Sequence, residues 1–245
     1  MMSRNVYLSV IIPVYNEETK IAETLLKINH YVSRQDYSSE IIIVNDGSTD
    51  NTIGVARKTL KNISLKSLSL SREINRGKGY SVKEGVLQAN GEFILFSDAD
   101  LSTPFEELEK LMPWIDKGYD IVIGSRGLKD SDIQIPQSRL REISGKVYNV
   151  LVQCLIIRGI KDTQCGFKLF KRAVALDVFK RQRIEGFSFD VEILFIAKRL
   201  GYKIKEVPIV WRDSRPSKVR IPVVPFKMLW ELFKIRLRSK RKEKY

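Results

Sequence analysis

The chain has 245 residues, 43% of them hydrophobic, which is enough for one large or two small domains with a buried core and makes extensive disorder unexpected. The formal net charge of +14 predicts an anionic partner: nucleic acid, phosphate groups or a membrane surface. The two cysteines are too few for a disulfide framework, so both are expected to be core thiols in a reducing compartment.

Two further features exclude functional classes. His30 is the only histidine, and no nucleophile lies near it in the sequence, so a histidine-dependent triad is not expected. His30 itself is expected on a helix surface. The sequence has neither a recognisable signal peptide nor an apolar run of the roughly 18 to 20 residues needed to span a membrane. We therefore expect a cytoplasmic protein that is soluble or peripherally bound to a membrane.

Strands and helices alternate along the first part of the chain. Apolar runs predict strands at residues 7–15, 40–46, 65–70, 92–97 and 119–125. Helical spacing of apolar residues predicts helices at residues 18–32, 51–61, 78–89, 104–117 and 139–157. This alternation predicts an α/β fold, a mostly parallel sheet with helices on both faces.

Ligands of such sheets bind beyond the carboxyl ends of the strands. The predicted strands end in the polar segments "PVYNEE", "VNDGSTD", "SDAD" and "GSR". Together these segments should line one crevice that contains the charged residues Glu17, Asp46, Asp98, Asp100 and Arg126.

The segment "SDAD" offers a cation site. Alternate side chains of an extended segment share a face, so Asp98 and Asp100 can reach one point while Ala99 faces away. Mg²⁺ and Mn²⁺ prefer carboxylate oxygens and commonly take only one or two from the protein. The alternative is structural, with Asp100 capping the next helix and Asp98 in a solvated turn. A motif this short does not decide between the two.

Four longer segments support the chemical interpretation: "VIIPVYNEE", "IIIVNDGSTDNT", "NRGKGYSVKEGVLQANGEFILFSDADLS" and "YDIVIGSR". With them the chain resembles the inverting glycosyltransferases of family two. The resemblance implies the GT-A nucleotide-diphospho-sugar transferase fold, a mostly parallel mixed sheet with helices on both faces. The resemblance covers residues 6 to about 220. The segments "RGIKDTQCGFKLFKR" and "FSFDVEILFIAKRLGYKIKEVPIVW" are similar to the polyprenyl-phosphate branch of that family, and more to its glucose-transferring than to its mannose-transferring members.

The resemblance implies an activity. It implies a hexosyltransferase that depends on Mg²⁺ or Mn²⁺ and moves glucose from UDP-glucose onto dolichyl or another polyprenyl phosphate at the cytosolic membrane face. Transfer of mannose from GDP-mannose is the alternative within the family. Ser102 stands where the mannose enzymes often carry a further metal ligand, so a third protein ligand is not expected.

The resemblance also implies roles for individual residues. The nucleotide would be held by Pro13, Tyr15, Glu17 and Asp46. The metal would be held by Asp98 and Asp100, with Arg76 and Lys78 near the donor phosphates or sugar. The acceptor phosphate would be bound by Arg126, Arg141 and Ser144.

Three further residues have open roles. Lys218 is a cation that, with the two arginines, would offset the charges of donor and acceptor. Asp162 is either a positioning group or base, or a structural carboxylate paired with Lys161 or Lys168. Asp190 starts an apolar helix, where it would act as a cap.

The C-terminal residues form a separate unit in this interpretation, with a transferase domain at 1–222 and a basic amphipathic helix and tail at 223–245. Apolar residues form one helical stripe in the tail: Phe226, Leu229, Trp230, Phe233 and Leu237. With its basic neighbours this stripe favours an anionic membrane surface, and packing on the core is the alternative. A similar stripe in helix 139–157 would face the core, as is more usual, or lipid: Ile143, Val147, Val150, Leu151, Cys154 and Leu155.

Two other classes of function fit the sequence less well. A nucleic-acid-binding protein would explain the charge, but the sequence contains no helix-turn-helix, RNP or zinc-finger pattern, so nucleic acid is not an expected partner. A catalytically inactive interaction module would not need the intact acidic pair at Asp98 and Asp100.

Overall fold

The structure is a computed structural model that describes residues 6–214 and 223–240. Its strands are β1 (Leu8–Val14), β2 (Ser39–Asp46), β3 (Lys66–Arg72), β4 (Phe93–Ser97), β5 (Ile121–Ser125), β6 (Asp132–Ile135), β7 (Phe167–Lys171), β8 (Ile204–Pro208) and β9 (Val210–Arg212). Its helices are α1 (Ile21–Val32), α2 (Thr52–Leu60), α3 (Lys78–Gln88), α4 (Leu108–Asp116), α5 (Arg139–Leu155), α6 (Arg172–Arg181), α7 (Phe189–Arg199) and α8 (Val223–Lys240). Every predicted element is present, with bounds that differ by a few residues.

The main sheet has seven strands in the order β3-β2-β1-β4-β7-β5-β8. All neighbouring strands are parallel except β7, which runs antiparallel to both β4 and β5. The short strands β6 and β9 form a second, two-stranded sheet. The prediction of a mixed, mostly parallel sheet is therefore confirmed. The antiparallel strand in its middle was not predicted.

Helices cover both faces of the main sheet. Because side chains alternate along a strand, Ile11 faces the core beneath α3 and α5–α8, whereas its neighbour Ile12 faces the core beneath α1, α2 and α4. Both residues are fully buried. Strands that are buried on both faces need near-continuous apolar sequence, which "VIIPV" and "EIIIV" provide.

Helix α5 packs on the core through a different face from the apolar stripe predicted for it. Tyr148 and Val152 contact the core, and Ile143, Val147 and Val150 on the other side are more than half exposed. Packing of those residues in the core was therefore the wrong alternative. Cys154 is also exposed, while Cys165 is buried, so only one of the two cysteines is a core thiol. His30 is exposed on α1 as expected.

Helix α8 packs on the core through Leu232 and Ile235. The predicted stripe lies elsewhere on the helix, with Trp230 57% exposed and stacked on Phe233 at 5.5 Å between ring centroids. The predicted domain boundary at 222 lies outside the described residues. Phe226 lies within α8, but its side chain is not among those described. Among the described helices, none combines the length and the apolar character needed to cross a membrane.

Candidate active site

The loops that follow the carboxyl ends of β1, β2, β4 and β5 meet at one edge of the sheet and border a cavity of about 400 Å³. Most of the residues with an implied role line it: Pro13, Tyr15, Glu17, Asp46, Lys78, Asp98, Asp100, Arg126 and Arg141. The crevice expected from the strand ends is therefore present, and it contains the five charged residues named for it.

Asp46, at the end of β2, organises the start of α3. Its carboxylate accepts hydrogen bonds from the backbone N–H groups of Arg76 (2.9 Å) and Gly77 (2.8 Å), and it lies 3.3 Å from an Arg72 guanidinium nitrogen. Gly77 has φ of 116°, which an L residue rarely adopts. Asp46 therefore fixes the strand-to-helix turn that borders the cavity.

Asp98 and Asp100 follow β4 and line the same cavity. Burial and then the nearby charge of Asp98 raise the pKa of Asp100, as expected for two carboxylates at one site. Leu101, next in the chain, has φ of 46°, so the backbone of this turn is left-handed at a residue that is not glycine. The Asp100 carboxylate accepts a hydrogen bond from the Ser102 N–H at 3.0 Å. The 3₁₀ turn that follows, Phe105–Glu107, has no side-chain cap, so Asp100 is not a helix cap.

Gly166, just before β7, makes room for Asp98. A Cβ atom on Gly166 would overlap the Asp98 carboxylate, and the Gly166 carbonyl accepts a hydrogen bond from the Asp98 N–H at 3.0 Å. The Lys78 ammonium is 2.7 Å from Asp98 Oδ1. Burial alone would lower the pKa of Lys78, but the nearby carboxylates together, with Asp98 contributing most, outweigh burial, and the pKa is raised. Lys78 is therefore a cation at the acidic end of the cavity.

The residues present fit a divalent cation in their donor chemistry. Asp98 and Asp100 supply carboxylate oxygens to the same cavity, and the absence of a Cβ on Gly166 leaves space for the first of them. Within residues 6–214 and 223–240, no group of three or more histidine, cysteine, aspartate or glutamate residues forms a metal site. A cation here would take its remaining ligands from substrate or water.

Arg126, after β5, is held by Asp162. Arg126 Nε and Nη2 donate to Asp162 Oδ2 and Oδ1 at 2.7 and 2.9 Å. The backbone N–H of Arg126 also donates to Asp162 Oδ2, at 2.9 Å. Burial disfavours a charged Asp162, but the Arg126 charge and hydrogen bonds outweigh burial and lower its pKa to about 2. Asp162 pairs with Arg126 rather than Lys161 or Lys168. Among the alternatives for Asp162, this geometry fits a positioning group and not a base.

A second cavity, of about 470 Å³, adjoins the first. The two cavities share Arg126, Gln137, Arg141, Gln164 and Trp211 in their walls. The guanidinium carbon of Arg126 lies 5.4 Å from the centre of the Trp211 ring, within cation–π range. The shared wall therefore carries two arginines, of which Arg126 is paired with Asp162 and Arg141 lies 4.0 Å from Asp213.

The second cavity extends along residues 141–149 of α5, where Gly145, Lys146 and Tyr148 line it. Ile133 of the small sheet also lines it and is itself 39% exposed. One end of this cavity thus lies at the two arginines, and its walls belong to elements with exposed apolar side chains.

Two of the described residues with implied roles, Arg76 and Ser144, line neither cavity. Arg76 forms an ion pair with Glu185 and lies over the Tyr80 ring, with its guanidinium carbon 3.6 Å from the ring centre. Ser144 is on the exposed side of α5 and does not line either cavity. Lys218 lies outside the described residues.

Other residues at the site were not found from the sequence. Glu206 of β8 accepts hydrogen bonds from the N–H groups of Lys161 and Asp162 at 2.8 and 2.9 Å and so supports the arginine's partner. Lys168 of β7 is fully buried and forms an ion pair with Asp190. Asp190 is therefore paired inside the first turn of α7 rather than acting as its cap. Isolated charges in "GFKLF" and "FDVE" gave no signal that they would meet.

The comparisons with known proteins agree with this geometry. The family model "Glycosyl transferase family 2" matches residues 9–179. A dolichyl-phosphate beta-glucosyltransferase of Dictyostelium discoideum is 39% identical over 96% of this chain and 75% of its own length. Proteins of the same name from Saccharomyces cerevisiae and Homo sapiens are 39% and 34% identical over 95% and 94% of this chain, in each case across 75% of the relative. The chain belongs to glycosyltransferase family 2.

Solved structures support the fold. Glucosyl-3-phosphoglycerate synthase from Mycobacterium tuberculosis, in complex with Mn²⁺, UDP-glucose and glycerol 3-phosphate, matches with a TM-score of 0.71. The match covers 94% of this chain and 80% of that one at 17% identity. A second structure of that enzyme, with UDP alone, has a TM-score of 0.70 and 18% identity. These likenesses establish the α/β glycosyltransferase fold.

Proposed function

We propose that this protein transfers glucose, with inversion, from UDP-glucose to dolichyl phosphate or a related polyprenyl phosphate. The observation that carries the proposal is the pair of joined cavities, acidic at Asp98 and Asp100 and cationic at Arg126 and Arg141. A donor needs the first end for its metal-bound diphosphate, and an acceptor phosphate needs the second. The relatives named dolichyl-phosphate beta-glucosyltransferase support this choice of substrates.

The donor would occupy the first cavity. Pro13, Tyr15, Glu17 and Asp46 would border the nucleotide. The mycobacterial neighbour of the same fold, solved with Mn²⁺ and UDP-glucose, supports a nucleotide sugar as the donor. Asp98 and Asp100 would hold Mg²⁺ or Mn²⁺. When bound, this cation would neutralise the charge that develops on the leaving nucleoside diphosphate. Lys78 would add a second positive charge beside the diphosphate.

The acceptor phosphate would lie at the wall shared by the two cavities. Its second pKa is near 6, so at neutral pH it is already an anionic nucleophile and needs no strong general base. Arg126 and Arg141 would offset its charge, and the guanidinium fork suits bidentate binding of phosphate. Asp162 would hold Arg126 in place, since the two hydrogen bonds between them fix the orientation of the guanidinium plane.

The polyprenyl chain would leave through the second cavity towards a membrane. We define the apolar face as the exposed side chains of α5 and α8: Ile143, Val147, Val150, Leu155, Leu229, Trp230, Phe233 and Leu237. The two helices contact each other, and exposed cations stand beside these residues, including Lys146 and Lys234. An apolar face with basic neighbours suits the headgroup region of an anionic leaflet. We propose that the reaction occurs at the cytosolic face, because the cytoplasmic leaflet is the one with anionic headgroups.

A transfer assay tests the proposal. Purified protein is incubated with radiolabelled UDP-glucose, MgCl₂ or MnCl₂, and dolichyl phosphate in anionic vesicles, and labelled lipid is extracted. We expect β-linked glucosyl phosphoryl dolichol, and no product with EDTA or with Asp98→Asn, Asp100→Asn. GDP-mannose is the competing donor. Faster transfer from GDP-mannose, or full activity of the double variant, would contradict the proposed donor or the metal site respectively.

A further inference from the structure

The segment 182–188, between α6 and α7, is attached to both helices of the apolar face through one residue. Ser188 donates its backbone N–H to Glu231 of α8 at 3.2 Å, and its hydroxyl donates to the Met228 carbonyl at 3.3 Å. The Tyr148 hydroxyl of α5 donates to the Ser188 hydroxyl at 3.0 Å. Tyr148, Ser188 and Glu231 are all buried. Buried hydrogen bonds of this kind resist rearrangement, because a lost partner leaves a desolvated polar group.

The carboxylate of Glu231 also limits the position of Gly186. A Cβ on Gly186 would overlap Glu231 Oε1, so the backbone of the segment lies directly against this side chain. The neighbouring residue, Phe187, lines the first cavity. Glu231 is therefore a buried acid on a surface helix that contacts the back of an active-site wall.

The other side of segment 182–188 contacts the start of α3. The Tyr80 N–H donates to the Glu185 carbonyl at 3.2 Å, and Gln182 Nε2 donates to the Gly79 carbonyl at 2.9 Å. A Cβ on Gly77 would come within 2.5 Å of the Glu185 carbonyl oxygen. The backbones are thus in close contact, and a displacement of the segment would move the turn at Gly77.

That turn belongs to the donor site. The Gly77 N–H binds Asp46, and the next residue, Lys78, pairs with Asp98. A continuous set of contacts therefore runs from Glu231 through Ser188 and Glu185 to the groups that border the nucleotide and its diphosphate.

We propose that Glu231 is a positioning residue through which contact of the apolar face with a lipid surface strengthens donor binding. The inference rests on the membrane contact put forward under the proposed function. A surface shifts this equilibrium only if it binds better to the conformation with the well-formed donor site, and the coupling must then be reciprocal. Such coupling would commit the donor at the membrane, where the acceptor is, and would limit transfer to water.

Binding measurements test the coupling without turnover. The dissociation constant of UDP with MnCl₂ is measured by calorimetry for the full chain, alone and with saturating vesicles of phosphatidylcholine and phosphatidylserine that contain no polyprenyl phosphate. We expect UDP to bind at least about fivefold more tightly with vesicles, the lower end of typical couplings. Vesicle partition, measured by sedimentation, should rise by the same factor when UDP and MnCl₂ are present.

Two variants locate the coupling at Glu231. Glu231→Gln should keep vesicle partition and UDP affinity in solution, and its vesicle effect should fall below about twofold. Gly186→Ala displaces the same carboxylate from the opposite side and should give the same loss, which covers the case that Glu231→Gln does not fold. Glu106→Gln, an acid-to-amide change at an exposed site on the 3₁₀ turn, is the matched control and should behave as wild type.

The outcomes separate this inference from the function it rests on. Wild-type protein that sediments with vesicles but binds UDP equally well in their presence overturns the coupling and leaves the membrane contact intact. Full coupling in folded Glu231→Gln and Gly186→Ala overturns the role of Glu231. Wild-type protein that does not sediment with vesicles overturns the membrane contact and this inference with it.

Discussion

The backbone of Gly166 lies directly against the carboxylate of Asp98, so closely that no larger residue fits at 166. The contact exists because β7 runs antiparallel to β4, with Ser97 opposite Phe167, so the residue before β7 meets the residue after β4. Asp98 also donates its N–H to the Gly166 carbonyl at 3.0 Å. The cation site that we propose therefore depends on a glycine from a strand that is distant in sequence.

Replacing Gly166 by alanine should impair metal binding specifically. The added methyl group would displace the Asp98 carboxylate from its place in the cavity wall, and binding is sensitive to displacements of about 1 Å. We expect Mn²⁺ affinity in the presence of UDP, measured by electron paramagnetic resonance, to fall by about tenfold or more, since one of two carboxylate ligands is lost.

Gly54→Ala is the control for this change. Gly54 lies in α2, and the three atoms nearest to its added Cβ all belong to the Asn51 side chain, which can rotate away. Its Mn²⁺ affinity should match that of wild type. Unchanged Mn²⁺ binding in folded Gly166→Ala would show that Asp98 is not a ligand.

Asp162→Asn should reduce stability in a pH-dependent way. The pKa of Asp162 is about 2 in the folded protein, below the ordinary value of 3.8, so the charged pair with Arg126 stabilises the fold fully above about pH 4. This contribution, about 2 kcal/mol, is lost as the pH falls through the folded-state pKa. The difference in unfolding free energy between wild type and Asp162→Asn should therefore shrink between about pH 4 and pH 2.

Urea unfolding at several pH values measures this difference. Asp130→Asn, at an exposed position of the loop after β5, should show no such trend. In the transfer assay Asp162→Asn should raise the KM for dolichyl phosphate, because Arg126 loses its fixed orientation. If the difference in unfolding free energy stays constant down to pH 2, pairing with Arg126 does not lower the pKa of Asp162.

The sequence predicts the parts of this site that lie within single segments. Asp46, Asp98 and Arg126 each end an apolar strand, and parallel strands bring such ends to one edge. Contacts between distant segments were not predictable in this way. Gly166 meets Asp98 only because an antiparallel strand enters the sheet between β4 and β5, and neither "CGF" nor the DAD motif encodes that pairing.

The sequence left the exposure of α5 undecided, with the core as the more usual partner, for a related reason. Its stripe from Ile143 to Leu155 has the periodicity of a core-facing helix, and periodicity does not distinguish protein from lipid as the apolar partner. The helix rests on the core through Tyr148 and Val152 instead. Only the packing of α8 and the sheet decides which face is covered.

The buried pair of Lys168 and Asp190 should behave differently when one or both partners are removed. Lys168 is fully buried and also donates to the Cys165 carbonyl at 2.5 Å. Lys168→Met leaves Asp190 without its cation in the interior, which should cost about 3 to 5 kcal/mol of unfolding free energy.

The double variant Lys168→Met, Asp190→Leu removes both charges and should recover most of that loss. Denaturant unfolding of the two single variants and the double variant forms a complete mutant cycle. Additive losses would show that the two groups do not interact.

The apolar face should be separable from stability. Val147 and Val150 of α5 are 56% and 59% exposed, so Val147→Ser, Val150→Ser should change the unfolding free energy by well under 1 kcal/mol. Burying a valine side chain in an apolar medium contributes about 1.5 kcal/mol when complete, and insertion into the headgroup region is partial. We expect partition onto anionic vesicles to fall by about tenfold, with UDP affinity in solution unchanged.

Leu26→Ser removes an equally exposed apolar residue from α1, on the opposite side of the sheet, and should leave vesicle partition as in wild type. Equal losses in both variants would indicate a general effect of surface polarity, and no loss in the α5 variant would exclude this helix from the membrane contact.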